Sequence, residues 1–292
     1  MLVERLDQQI SQLRGLLARS QSGADRAAYL YGLGLALQVR FDLTGSAADL
    51  AGAVEAGREA VATPADHPDL AARLSSLGFI LLREFDRTGQ APILEEAINT
   101  SRQAVALTPP DDPARAERLS KLGGALTRAF EYRGAMADID AAVDTLREAV
   151  RAASPSDPDR GGYLSNLGFA LSSRFRRTAN GADLDEAISA YRQAVAATPP
   201  DLPDRFGTLS NFGGVLLARF EHTGDPAALD EAIETARLAV AATPPGHPHR
   251  PITLVTLQNV LRRRYERTGA AADLDEAIAA GREAAAAGPN QA

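Results

Sequence analysis

The chain has no cysteine and no tryptophan, only two methionines, and aromatic residues at just 5% of its 292 positions. Without cysteine there is no disulfide framework, no thiolate nucleophile and no sulfur-ligated metal site. Lysine is nearly absent: Lys121 stands alone, so almost all positive charge is guanidinium, the better fork for carboxylates. A basic excess is missing too. The formal net charge is −7, and nucleic acid, which needs a basic footprint, is not an expected partner. No run approaches the roughly 18 apolar residues of a membrane span. The opening MLVERLDQQI, with Glu4 and Asp7, lacks a continuous apolar core and does not read as a signal peptide. No membrane association is expected, and the cytoplasm is the default address.

What is present is alanine, an apolar fraction of 45%, and a phrase repeated at a step of 45 residues. Gly78, Gly123, Gly168 and Gly213 form one column, and Phe85, Phe130, Phe175 and Phe220 form another seven residues on. Ala97, Ala142, Ala187, Ala232 and Ala277 make a third, and Arg102, Arg147, Arg192, Arg237 and Arg282 a fourth. A first copy fits one residue short (Gly34, Phe41, Ala53, Arg58), a position being absent near Thr63. A fixed period in this range predicts stacked repeats, and therefore one elongated domain over residues 1–292 rather than the two that length alone suggests. Its expected parts are a half repeat at 1–28, repeats at 29–72, 73–117, 118–162, 163–207, 208–252 and 253–287, and a tail at 288–292.

The copy from Tyr163 to Gly207 shows the local logic. Leu164, Leu167, Gly168, Leu171 and Phe175 follow helical spacing, and Arg176 to Gly181 carry turn residues. A second helix is expected to open with Asp183 capping its free amides and Glu186 answering three positions on. Its stripe is Leu184, Ala187, Ile188, Tyr191, Ala194 and Val195, ended by Thr198-Pro199-Pro200. The next first helix is expected to start at Pro203. Residues 2–20 read as the second helix of an incomplete seventh copy, which makes thirteen helices in all. Gln258 and Ala285 replace the usual Gly and Val in the last copy. The Phe column is the expected hydrophobic anchor.

Leu167-Gly168, Ala187, Tyr191, Ala194 and Pro199 stand where the tetratricopeptide repeat pattern places such residues, and similar ones recur in six copies over nearly the whole chain. The chain thus resembles tetratricopeptide repeat (TPR) proteins, with repeats longer than the usual 34 residues. The phrase from Arg264 to Ile278 resembles the long repeats of actinobacterial proteins, which accompany CHAT-type caspase-like protease domains or signalling ATPases. The resemblance implies an α-solenoid, a right-handed superhelix of helical hairpins, whose first helices line a concave groove. It further implies a protein or peptide partner held as by a scaffold, or else a regulatory, sensor role in a larger signalling or CHAT-protease-type system.

Mapped through Leu167-Gly168, that groove face carries Ser165, Asn166, Phe169, Ser172 and Ser173 in one copy. Neighbouring copies supply Ser75, Ser76, Phe79, Leu82 and Arg83, then Ser120, Lys121, Gly124, Thr127 and Arg128, then Ser210, Asn211, Gly214 and Leu217. The residues expected to meet a partner are Arg83, Ser120, Lys121, Arg128, Ser165, Asn166, Phe169, Ser210 and Asn211. Asn166 and Asn211 suit peptide backbone because an amide both donates and accepts. In the family an asparagine at the place of Asn166 commonly grips peptide backbone. Arg83, Lys121 and Arg128 suit carboxylates. A plainly solvated helix face would carry the same small polar residues.

Catalytic constellations are weak. His67 and His247 share a loop column, and His247-Pro248-His249 offers two imidazoles without a third ligand. Acid pairs such as Glu95-Glu96 and Asp185-Glu186 lie in first turns of helices, where the dipole favours them. No phosphate loop, nucleophile elbow or His-Glu-x-x-His stretch is present. No enzyme, metal or cofactor is expected. The arginine column, with Asp86, Glu131, Glu221 and Glu266 near the first-helix ends, suggests ion pairs between elements.

Overall fold

The computed structural model describes residues 2–20, 23–62, 69–199, 202 and 205–287. Thr63, His67, Pro200, Pro203 and the 288–292 tail lie outside the described residues. Among those described there are thirteen α-helices and no strand. They are α1 (Leu2–Arg19), α2 (Ala24–Thr44), α3 (Ala47–Val61), α4 (Leu70–Thr88), α5 (Ala91–Ala106), α6 (Arg115–Arg133) and α7 (Met136–Ala152), then α8 (Arg160–Thr178), α9 (Gly181–Ala197), α10 (Arg205–Thr223), α11 (Pro226–Ala241), α12 (Arg250–Thr268) and α13 (Ala271–Ala287). The fold is all-α, a solenoid of helical hairpins.

The chain falls into two compact units, Met1–Ala153 with α1 to α7 and Ser154–Ala292 with α8 to α13. In each, the helices pair as hairpins (α2 with α3, α4 with α5, and so on), and each second helix packs on the next first helix. First helices also touch along the row: α2 with α4 and α4 with α6 in one unit, α8 with α10 and α10 with α12 in the other. Among the described residues, second helices do not approach one another in this way. Each unit therefore curves toward its first helices.

The turn inside each hairpin follows from one backbone position. After α4, α6 and α12 a glycine (Gly89, Gly134, Gly269) sits in the left-handed region, and its N–H closes on the carbonyl of Phe85, Phe130 or Tyr265. In the fourth copy Ala179 takes that conformation at φ 55°. The second helix then starts sooner than the sequence reading placed it. Asn180, not Asp183, caps α9, accepting from the Ala182 N–H at 3.2 Å. Asp183 lies one turn inside, buried, where it accepts from both ends of the Arg174 guanidinium at 2.9 and 2.6 Å. The same fork joins Arg264 to Asp273 at 2.8 and 2.6 Å, and Arg40 to Asp49.

Small residues mark the close approaches. An atom added as Cβ on Gly168 would stand 2.7 Å from the Tyr191 ring. Ala97, Ala142, Ala187 and Ala232 are wholly buried. The anchor is not the Phe column: of its five members only Phe85 is buried. Each ring sits near the end of its first helix, and several meet the next hairpin of their own unit. Tyr132 packs edge-on against Phe85 at 5.2 Å, His222 against Phe175 at 5.4 Å, and Arg267 lies 6.0 Å over Phe220. The core belongs instead to leucine columns such as Leu81, Leu126, Leu171, Leu216 and Leu261, all buried one turn deeper.

Arginines tie the hairpins at two levels. The first residue of α6, α10 and α12 reaches back to the end of the preceding second helix, Arg115 to the Thr108 carbonyl, Arg205 to those of Val195 and Thr198, Arg250 to those of Val240 and Thr243. Arg26 does the same for α1 through Leu17 and Ser20. Carbonyls at a helix end lack the regular partner four residues on, and a cation there also suits the dipole. The second-helix arginine column does form ion pairs, but with other acids than Asp86, Glu131, Glu221 and Glu266. Arg58, Arg192 and Arg237 reach the next second helix at Glu96, Glu231 and Glu276, each at 2.6 Å. These long side chains span outer helices too far apart to pack directly.

Candidate partner-binding face

In the first unit the cations proposed for a partner already have partners. Arg83 pairs with Asp42 at 2.9 Å and lies 5.9 Å over the Phe41 ring. Arg128 pairs with Asp86 at 2.9 Å and with Glu131 of its own helix at 2.6 Å. Lys121 pairs with Glu117 at 2.6 Å and lies 5.8 Å over Phe79. Any external carboxylate must compete with these. Ser120, like Ser75 and Ser76, is buried between helices.

In the second unit the face is different. Ser165 accepts from the Thr208 hydroxyl at 3.2 Å, tying α8 to α10, and Asn166 beside it is exposed. Ser210 is buried and shares a hydrogen bond with Thr256 at 3.1 Å, tying α10 to α12. Asn211 is exposed, and its side chain makes no hydrogen bond among the described residues. Phe169 and Asn211 flank a cavity of about 260 Å³ between α8, α9, α10 and α12. Its walls include Leu184, Val215, Ala218 and Ile252, with Arg176 and Tyr191 among its polar lining.

Tyr191 is wholly buried, stacks on Phe212 at 5.9 Å, and its hydroxyl has no hydrogen-bond partner. Burial pushes the phenol well above its ordinary range, the Arg176 charge pulling the other way, so the group stays a neutral donor. Arg176 is exposed at the mouth, 5.9 Å over the Phe169 ring, held by the Ser173 hydroxyl at 2.8 Å. Among the described residues it pairs with no carboxylate.

Arg176, Tyr191 and Ala218 were not among the residues expected to act. The signal lay in broken columns. Arg176 stands where other copies carry Asp42, Asp86, Glu131, Glu221 and Glu266, and Ala218 where others carry Arg83, Arg128 and Arg263. Where the arginine is present the two columns pair across neighbouring hairpins, Arg83 with Asp42, Arg128 with Asp86, and Arg263 with Glu221 at 2.8 Å.

The described histidines pack against aromatic rings. His247 and His249 surround Phe206 at 4.8 and 5.5 Å. Among the described residues no group of three or more His, Asp or Glu is placed to bind an ion, and no helix is long and apolar enough to cross a membrane.

No family model matches the sequence, and no curated protein matches it. Solved structures do match its fold. The C-terminal part of a TPR repeat-containing protein from Cytophaga hutchinsonii superposes with a TM-score of 0.57 at 15% identity, covering 98% of this chain and 92% of that one. A Podosopora anserina protein of nearly identical TPR-like repeats gives 0.51 at 21% identity over 74% and 96% of the two chains. BtubC from P. vanneervenii gives 0.51 at 18% identity over 83% and 92%. At such identities the likeness concerns architecture, and it establishes that these hairpins are TPR-like.

Proposed function

We propose that the protein is an interaction scaffold that takes a peptide or protein partner on the first-helix face of its units. The carrying observation is that first helices touch in a row while second helices stand apart, so that each unit turns its first-helix face inward. The outer row is occupied by arginine–glutamate pairs that fasten hairpins to one another. On the inner face of the second unit, Asn166 and Asn211 are exposed one hairpin apart at equivalent positions, next to the half-buried ring of Phe169. Amides so repeated match the alternating donors and acceptors of an extended backbone. The cations of the first unit, Arg83, Lys121 and Arg128, contribute less, because their own carboxylates already hold them.

The test is a pull-down with quantitative proteomics using the intact chain, followed by the triple variant Asn166→Ala, Asn211→Ala, Lys121→Ala. The partner should be lost from the variant while its far-ultraviolet circular dichroism stays unchanged. Equal capture by the variant removes this face from the binding site.

A further inference from the structure

The cavity in the second unit exists because two columns of the repeat change together. In a regular pair of hairpins, an arginine on one first helix crosses to an acid on the preceding one and fills the space between them, as Arg128 does with Asp86 and Arg263 with Glu221. Between α8 and α10 the arm is shortened to Ala218 and the acid is exchanged for Arg176. Gly214, a further position on that wall, adds no side chain, and a Cβ there would meet open space. The result is a half-open space of about 260 Å³, apolar inside, with a guanidinium lacking a counter-charge at its mouth.

A second and independent observation lies in its wall. Tyr191 is the largest side chain in its column, where other copies carry Gly57, Ser101, Leu146, Ala236 and Gly281. A leucine or alanine would fill the hairpin without any polar atom. The phenol instead leaves a buried hydroxyl with no partner, a state that costs free energy in the empty protein. Tyr191 and Arg176 both line the cavity. With Asn211 the lining offers three kinds of donor, and no carboxylate is among the residues that line the cavity.

We infer that this cavity binds a small free monocarboxylate with an apolar body, an aryl- or branched alkyl-carboxylate whose head group lies among Arg176, Tyr191 and Asn211. The volume, just below the roughly 300–1,000 Å³ of drug-sized sites, fits one ring or a short branched chain. Phe169, Leu184, Val215 and Ile252 take the body, and the donors take the charge. The inference goes beyond the scaffold reading and does not depend on any partner, although the two share Phe169 and Asn211.

The experiment titrates the purified full chain with 3-phenylpropionate by saturation-transfer NMR and calorimetry. Its neutral amide, 3-phenylpropionamide, and an acetylated hexapeptide ending in phenylalanine serve as parallel probes. The acid is expected to bind with a dissociation constant on the order of 0.1–1 mM, as befits so small a ligand, and the amide at least about tenfold more weakly. Tyr191→Phe should weaken the acid about tenfold while raising the melting temperature of the empty protein, because only an unpartnered hydroxyl is removed. Arg176→Glu with Ala218→Arg rebuilds the regular ion pair, closes the space and should abolish acid binding in a folded protein. Equal binding of acid and amide, persistence of binding in that double variant, or no binding of the acid at its highest soluble concentration overturns the inference. Binding of the peptide alone overturns it as well and gives the space to a chain end. The double variant keeps Asn166, Asn211 and Lys121, so its loss of the acid leaves the pull-down result for the scaffold reading untouched.

Discussion

Ala179 occupies a backbone conformation that five neighbouring copies give to glycine: Gly45, Gly89, Gly134, Gly224 and Gly269 all have φ between 66 and 72°. In that region Cβ crowds the following carbonyl, at a cost of roughly 1–2 kcal/mol for an L-residue. The hairpin tolerates it because the Ala179 N–H still closes on the Phe175 carbonyl at 2.7 Å and the side chain is the smallest that has a Cβ. Ala179→Gly should therefore stabilise the protein by about 1 kcal/mol, somewhat less than the strain relieved, since glycine also frees the unfolded chain. Urea unfolding of the two proteins measures this, and a less stable glycine variant would show that the strain is illusory. The residue scale also explains why the Phe column misled. A large ring at a fixed period looks like a core anchor, yet its place relative to the helix end decides its burial, and that place was set by a turn that begins right after it. The column's carbonyls matter more to the fold than its rings.

At the scale of the helix pair, the repeat was legible and its electrostatics only partly so. Helix number, hairpin pairing and the glycine–second-helix contact follow from columns read one at a time. Ion pairs join one column to another across copies, so no single column reveals them. Arg83 and Arg128 therefore read as available in sequence although each bridges to the hairpin before it, and the one reversed charge in the acid column, Arg176, carries no signal until the columns are set side by side. The capping error had a similar origin: Asp183 resembles an N-cap in isolation, but the left-handed turn at Ala179 starts α9 three residues earlier and turns the carboxylate inward onto Arg174. The equivalent pair in the last hairpin gives a prediction. The two hydrogen bonds from Arg264 hold the Asp273 carboxyl below the usual carboxylate range, against the opposing effect of burial. A group whose folded pKa is depressed stabilises the fold above its unfolded value near 4, and that contribution fades as pH falls through the folded value. Asp273→Asn should cost about 2 kcal/mol near neutral pH, in keeping with a hydrogen-bonded charge lost from a buried site. The gap to the parent protein should close as the pH drops below about 4. Urea unfolding at neutral and acidic pH reads both quantities, and a gap independent of pH would contradict the ion-pair account.

At the scale of the chain, every helix contact within each unit, among the described residues, joins elements at most two apart in the chain order. Stability should then be a sum of hairpins and nearest-neighbour interfaces rather than the property of one closed core. The α12–α13 hairpin shows what such an interface contributes. Ile98, Ile188 and Ile233 are buried where the next hairpin of their own unit covers their second helices, whereas Ile278, their counterpart in α13, is 42% exposed, and among the described residues no helix other than α12 packs on α13. Ending the chain after Ala241 would put Ile233 in the position Ile278 now holds and would remove only the contacts that α12 and α13 make with α10 and α11. Such a truncation should fold, with helical content per residue unchanged, a lower melting temperature, and a urea m-value smaller by roughly one sixth, the share of buried surface in one hairpin of six. Circular dichroism and urea titration of the shortened chain measure all three. Collapse of the helical signal throughout the truncated protein would mean that the hairpins share a single cooperative core, and the additive description of this solenoid would have to be given up.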